Sequence, residues 1–198
     1  FTTFLFAGQD LESAKIRLKD KEWGKAEEYL LKALDHPKDK WEAAYHLGDK
    51  IYPRKQDWIS VKKYMDIAST APSNLKIRPT RNDRKIAISQ AITASLTKSY
   101  NLIYFKASGY LPLLNRAASI EQRDALVEQA IKTSMDAKDL DPAQPGAYAL
   151  VALYSSVKGD KEATIKYLDM GLALEDIPTD TRIALLVSAG QSVVRLGE

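Results

Sequence analysis

The sequence predicts an all-α fold of paired antiparallel helices, on three observations. The first is a spaced pattern that occurs twice. Trp23, Ala26, Leu30, Ala33 and Pro37 step by three, four, three and four residues, and Trp58, Val61, Met65, Ala68 and Pro72 repeat the same steps. Those steps keep the first four residues of each set on one face of a helix, and the proline closes it. The second observation is the period. Trp23 and Trp58 lie 35 residues apart, and an aromatic-small-large-small pattern recurring about every 34 residues is the signal of stacked helical hairpins. The third is composition. Nine glycines and eight prolines in 198 residues argue against a chain of many short strands, and ten tyrosines with three tryptophans argue against disorder.

Other bulk properties bound the function. The hydrophobic fraction of 45% and charged fraction of 28% are ordinary for a soluble globular chain. A net charge of +3 and a pI near 8.9 are only mildly basic, whereas a nucleic-acid partner would favour a concentrated basic face. The absence of cysteine removes disulfides, thiol nucleophiles and cysteine metal sites. No apolar run approaches the roughly 20 residues needed to span a bilayer. The chain begins at Phe1 rather than at methionine, so it is expected to be processed or trimmed. Phe1 to Gly8 is apolar and uncharged. It reads either as the tail of an export signal or as a first segment packing on the helices, so exported (periplasmic or secreted) and cytoplasmic locations stay open.

The elements follow in order. Asp10 to Lys19 reads as helix, Asp20-Lys21-Glu22 as a polar turn, and Glu22 to Leu34 as the helix carrying the first pattern, ended by Pro37. So short a connection makes an antiparallel hairpin. The second unit starts near Lys40. Ala44, Leu47, Gly48 and Ile51 give its packing face, Pro53 is expected to end the helix, and Trp58 to Thr70 is its partner. Gly48 is small because the paired helices should cross closely there. Asn74 to Asn82 breaks the rhythm. It opens the most concentrated charge in the chain, Lys76, Arg78, Arg81, Arg84 and Lys85, with Asp83 the one nearby acid. A long helix is expected from about Asp83 to Ala107, its stripe marked by Ile88, Ile92, Leu96, Tyr100 and Ile103.

Leu111 to Ala118 reads as a short helix or ordered loop. Glu121 to Leu140 is helical, with Val127, Ala130, Ser134 and Ala137 in the repeat spacing. Val61 to Ala130 is close to two periods, so residues 74–120 could hide a degenerate repeat. Pro79 sits where that repeat's first helix would fall, which favours one elongated unit with an insert. Tyr148, Val151, Ala152 and Ser155 open the next unit, Gly159-Asp160 forms its turn, and Lys161 to Leu174 is its second helix, with Thr164, Leu168 and Gly171 in register. Pro178 to Asp180 starts a last helix. It is expected either to cap the stack or to mark a chain cut inside a longer array, and its Leu186 and Val193 would present a face for end-to-end stacking.

Leu47-Gly48, the turn at Gly159-Asp160, the closure at Asp141-Pro142 and the shared phase across units resemble the tetratricopeptide repeat over about three quarters of the chain. The resemblance implies a right-handed superhelix of stacked hairpins, the tetratricopeptide-like solenoid, as one domain over residues 1–198. Its units would be residues 9–40, 41–73, an irregular 82–142 with an insert at 108–120, and 145–177, followed by a half-unit or cap at 180–198. It also implies a concave groove lined by first helices. The matching positions are Lys15, Leu18 and Lys19; Glu42, Tyr45, Asp49 and Tyr52; Ala149, Leu153 and Ser156; and Val187, Gln191 and Arg195. The family's chaperone-tail binders use a Lys/Asn clamp for a terminal carboxylate. Glu42 and Asp49 stand where that clamp needs neutral or positive groups, so this function is not implied.

No catalytic constellation is legible. Of the two histidines, His36 is expected to be an exposed helix-end residue and His46 to lie on a charged face. Neither is expected to find a histidine or carboxylate partner at a metal-ligand spacing. There is no Gly-x-Ser-x-Gly turn and no glycine-rich phosphate loop. The expectation is a non-enzymatic protein-interaction module or scaffold, without metal or cofactor, that holds a peptide or helical segment in its groove. Deleting side chains at Tyr45, Asp49 and Tyr52 is then expected to weaken capture without unfolding the chain. The alternatives are self-association through repeat stacking and, more weakly, nucleic-acid binding through residues 76–85. Tyr100, Tyr104, Phe105 and Tyr110 form an aromatic junction read as core, or as a docking surface if exposed. A sheet in the middle of the molecule, or Trp23 and Trp58 exposed to water, would contradict the helix-pair reading.

Overall fold

Helix pairs closed by near-identical turns dominate the computed structural model, which describes residues 8–80 and 83–175 together with 177, 179, 180, 182 and 187. The chain divides into two compact units, residues 1–99 and 100–198, with the boundary inside one long helix.

In the first unit, α1 (Gln9–Lys19) packs antiparallel on α2 (Trp23–Ala33), α2 packs on α3 (Lys40–His46), and α3 pairs with α4 (Trp58–Ser69). Charge suits the first helix: Asp10 and Glu12 occupy its first turn and Arg17 and Lys19 its last, each complementing the helix dipole. The repeat pattern is the buried face. Ala26, Leu30, Ala33, Val61 and Ala68 are fully buried and Met65 is 1% exposed. Trp23 and Trp58 are half-buried, and the Arg54 guanidinium lies 3.7 Å from the centre of the Trp23 ring.

Three hairpin turns share one geometry. Glu22 N–H donates to Arg17 O at 2.9 Å, Asp57 N–H to Tyr52 O at 3.1 Å, and Asp160 N–H to Ser155 O at 2.9 Å. Each is preceded by a left-handed residue, Lys21 (φ 60°), Gln56 (φ 54°) or Gly159 (φ 85°), two positions before the next helix. This is the Schellman closure that satisfies orphan carbonyls at a helix end. Two of the next helices are then capped by aspartate: Asp57 accepts from Ser60 N–H at 3.0 Å and Asp160 from Ala163 N–H at 2.9 Å.

Two expectations need correction here. Pro53 does not end the helical path. After α3 the backbone widens into a π-helical turn, Leu47–Ile51, and tightens into a 3₁₀ turn, Tyr52–Lys55. Pro53 takes an early position of that 3₁₀ turn, where its missing N–H costs nothing. The long helix also starts later than expected. β1 (Lys76–Ile77) pairs antiparallel with β2 (Ile86–Ala87), Lys76 opposite Ala87 and Ile77 opposite Ile86, before α5 (Ile88–Ser108) begins. The expectation that no strand lies mid-chain therefore fails in its strict form. The ladder is two residues long and closes on itself, anchored by the buried Ile77 and Ile88, so it replaces none of the helix pairing.

In the second unit, α6 (Tyr110–Leu114) packs on α7 (Ile120–Leu140), α7 on α8 (Pro145–Lys158), and α8 on α9 (Lys161–Leu172). Ser119 caps α7 by accepting from Gln122 N–H at 3.2 Å, Pro145 opens α8, and Gly159 ends it. Val127, Ala130, Ser134 and Ala137 are all buried, as are Tyr148, Val151, Ala152 and Ser155. Thr164 is also fully buried and donates its hydroxyl to Asp160 O at 2.7 Å. The expected last helix, with Leu186 and Val193, lies mostly outside the described residues, as does Phe1 to Ala7.

Three substitutions test the turns and the helix contacts. A Cβ at Gly48 would stand 3.0 Å from Met65 Cε and 3.1 Å from its Cγ, whereas one at Gly24 in α2 would meet nothing within 4 Å. Gly24→Ala is expected to stabilise the chain by about 0.5–1 kcal/mol and Gly48→Val to destabilise it by about 1–3 kcal/mol in urea unfolding. Lys21→Gly is expected to stabilise by about 0.5–1 kcal/mol, because the left-handed turn position suits glycine; an unchanged midpoint would remove the turn geometry from the account.

Candidate partner-binding surface

Of the residues expected to line a groove in the first unit, Lys15 and Glu42 meet, but not as free side chains. Lys15 on α1 reaches Glu42 on α3 at 3.0 Å and Glu12 at 2.9 Å, so an ion pair joins the two first helices. Leu18 beside it is half-buried and Lys19 is exposed. Glu42 keeps 19% of its side chain exposed. Burial pushes its carboxyl pKa up, but neighbouring His46 and Lys15 outweigh that and hold it below the usual value.

Deeper in, the site is a polar seam. Tyr45 is 3% exposed and the Asp49 side chain 8%. Asp49 accepts a hydrogen bond from the Ser95 hydroxyl of α5 at 2.7 Å. Lys50 Nζ stands 2.6 Å from its other oxygen as an ion pair without hydrogen-bond alignment. Burial opposes the Asp49 charge, yet Lys50 and Ser95 prevail and lower its pKa. Burial, then the Asp49 charge and hydrogen bond, then the charge of Asp83 push the Tyr45 hydroxyl pKa well up. Tyr52 stacks on Tyr64 with ring centres 5.1 Å apart. The expectation that Tyr45 and Asp49 could be truncated without structural cost is therefore corrected: both are packed and bonded inside the first unit.

His46 corrects the sequence reading twice. It is 3% exposed rather than on a solvent face, and Glu42 stands four residues before it with Oε1 3.7 Å from its Nε2. That distance is too long for a hydrogen bond, and neither ring nitrogen has a hydrogen-bond partner. The missed signal was the Glu-x-x-x-His spacing itself. Lys15 and Lys50 already neutralise the carboxylates, and among the described residues no three His, Asp or Glu side chains converge to hold a metal ion. His36 is likewise half-buried rather than exposed, 3.5 Å from Asp10.

The remaining positions divide by unit. In the second unit Leu153 and Ala149 are half-buried and Ser156 is 8% exposed. Val187 is 53% exposed, and Gln191 and Arg195 lie outside the described residues. Of the aromatic junction, Tyr100 is buried and Tyr104 packs within 3.0 Å of where a Gly146 Cβ would stand, while Phe105 is 69% exposed. Lys76, Arg78, Arg84 and Lys85 are all exposed; Arg81 lies outside the described residues.

The site and fold thus define a class: a mostly helical protein of turn-matched hairpins with a mixed, partly open surface on α1 and α3. No family model matches the chain, and no curated protein matches it. Among solved structures it is similar to a thermophilic TPR protein of Thermus thermophilus, at 17% identity over 95% of this chain and 88% of that chain, with a TM-score of 0.38. Among the described residues, no helix is long and apolar enough to cross a membrane.

The buried carboxylate gives a pH prediction. A carboxyl whose folded pKa is lowered stabilises the fold above its unfolded pKa, and that contribution is lost as pH falls through the folded pKa. Asp49→Asn is expected to cost about 1–3 kcal/mol at neutral pH. The gap to the parent protein should narrow below about pH 4, the range where free aspartate titrates. Urea unfolding at several pH values checks this; a gap independent of pH would show that the Asp49 charge is not what Lys50 and Ser95 hold.

Proposed function

We propose that this chain is a tetratricopeptide-like interaction module, without catalysis of its own, that holds a peptide or helical segment of a protein partner on its first helices. The observation that carries the reading is the Lys15–Glu42 ion pair between α1 and α3, beside the half-buried Leu18 and the exposed Lys19. That ion pair joins two of the expected first helices beside both apolar and charged side chains. The three matching Schellman turns support the repeat character independently of any comparison. Tyr45, Asp49 and His46 form the floor that fixes this surface, and Glu42, Leu18, Lys19 and Tyr52 meet the partner. Leu153 of the second unit would serve the same role there.

Selection of peptides from a displayed library against the whole protein tests this, with Leu18→Ala and Lys19→Glu as the site variants and Lys161→Glu on α9 as the control. Selected peptides are expected to bind the site variants about tenfold more weakly or worse and the control unchanged, with circular dichroism the same throughout. Peptides that bind all variants equally would place the contact elsewhere.

A further inference from the structure

The β1–β2 hairpin is a compact cationic device that the helix pairs do not need. Its register sets Lys76 opposite Ala87 and Ile77 opposite Ile86. Continued one step, it sets Arg78 opposite Lys85. Alternation along the strands puts Lys76, Arg78 and Lys85 on one face and the Ile77–Ile86 pair on the other. Ile77 is buried, so the cationic face is the outer one. Like charges directly across a ladder destabilise it, and none of Lys76, Arg78, Arg84 and Lys85 makes an ion pair among the described residues. Elsewhere Lys15, Lys32, Lys50, Lys55 and Lys62 each have an acid within reach. Residues 76–85 hold five basic side chains against one acid, while the whole chain carries only +3, so the rest is close to neutral.

We propose that this hairpin is a docking site for an extended acidic protein segment, separate from the surface on α1 and α3. Lys76 and Arg78 stand two residues apart on a strand, about 6.8 Å, which is the spacing of alternate carboxylates on an extended chain. Single-stranded nucleic acid would call for exposed rings to stack its bases, and the described hairpin residues carry no aromatic side chain. A duplex would call for a broader basic face than this near-neutral chain offers.

Fluorescence anisotropy on the whole protein, with a labelled peptide alternating glutamate and alanine, tests the proposal against an oligothymidylate of matching charge and anionic phosphatidylserine vesicles. The peptide is expected to bind most tightly, to weaken as salt rises, and to lose at least about tenfold in affinity with Lys76→Glu and Lys85→Glu combined. Lys85→Arg should retain binding, and Lys161→Glu on α9 should leave it unchanged. No peptide binding at low salt, binding indifferent to the hairpin reversals, or tighter binding of the oligonucleotide or the vesicles would overturn the proposal. The α1–α3 surface is tested separately by the peptide selection on Leu18→Ala and Lys19→Glu, so the hairpin can fail without touching that reading, and the reverse.

Discussion

Close approach between paired helices is the constraint on which the rest of this structure depends. Close packing is possible only where side chains are small, and the sequence supplies the fully buried Ala26, Ala33, Ala44 and Ala68, and Gly48 beneath the Met65 side chain. Larger residues then interlock around them: Leu30 and Leu47 are fully buried, and Met65 lies over Gly48. One helix of this length has no stable existence in water. Its partner, brought back by the Schellman turn, supplies much of the burial, and the short turn makes that partner the next helix in the chain.

The first unit adds a polar seam to this apolar scheme. Lys15 to Glu42 ties α1 to α3, and Ser95 to Asp49 ties the start of α5 to the π turn. Such contacts add little net stability, since each buried charge loses hydration. What they supply is registration: a slip of α5 along the π turn would break the Ser95 hydrogen bond to Asp49. His46 is the exception inside this seam, buried with neither ring nitrogen hydrogen-bonded. The π turn that follows it shifts Asp49 and Ile51 relative to an ideal helix, and such turns often accompany functional surfaces.

Much of the helix pairing was legible because burial on one face leaves a spacing of three and four residues. Trp23 to Ala33 and Trp58 to Ala68 show it, and so do Val127 to Ala137. The π turn was not legible, because one extra residue in a single turn leaves no periodic trace. The β1–β2 ladder is too short for an alternation to register, and α5 accordingly starts at Ile88 rather than near Asp83. The burial of Tyr45 and His46 was missed for a different reason. Ala43 to Gly48 are buried without interruption, since neighbours close on several sides of α3, whereas a groove mapping assumes one open face. A helix enclosed all round loses its amphipathic signature. The basic hairpin was visible as charge, but its register, and hence its cationic face, came only from the strand pairing.

The contact between Gly48 and Met65 is where the account is most directly exposed. A methyl-labelled sample would show whether the Met65 Cε protons give a strong nuclear Overhauser cross-peak to the Gly48 α-protons. The account predicts one, since a Cβ on Gly48 would stand only 3.0 Å from that methyl carbon. A Met65 methyl with no cross-peak to Gly48, in a protein that is otherwise folded, would contradict the close crossing of α4 on the π turn and the pairing built upon it.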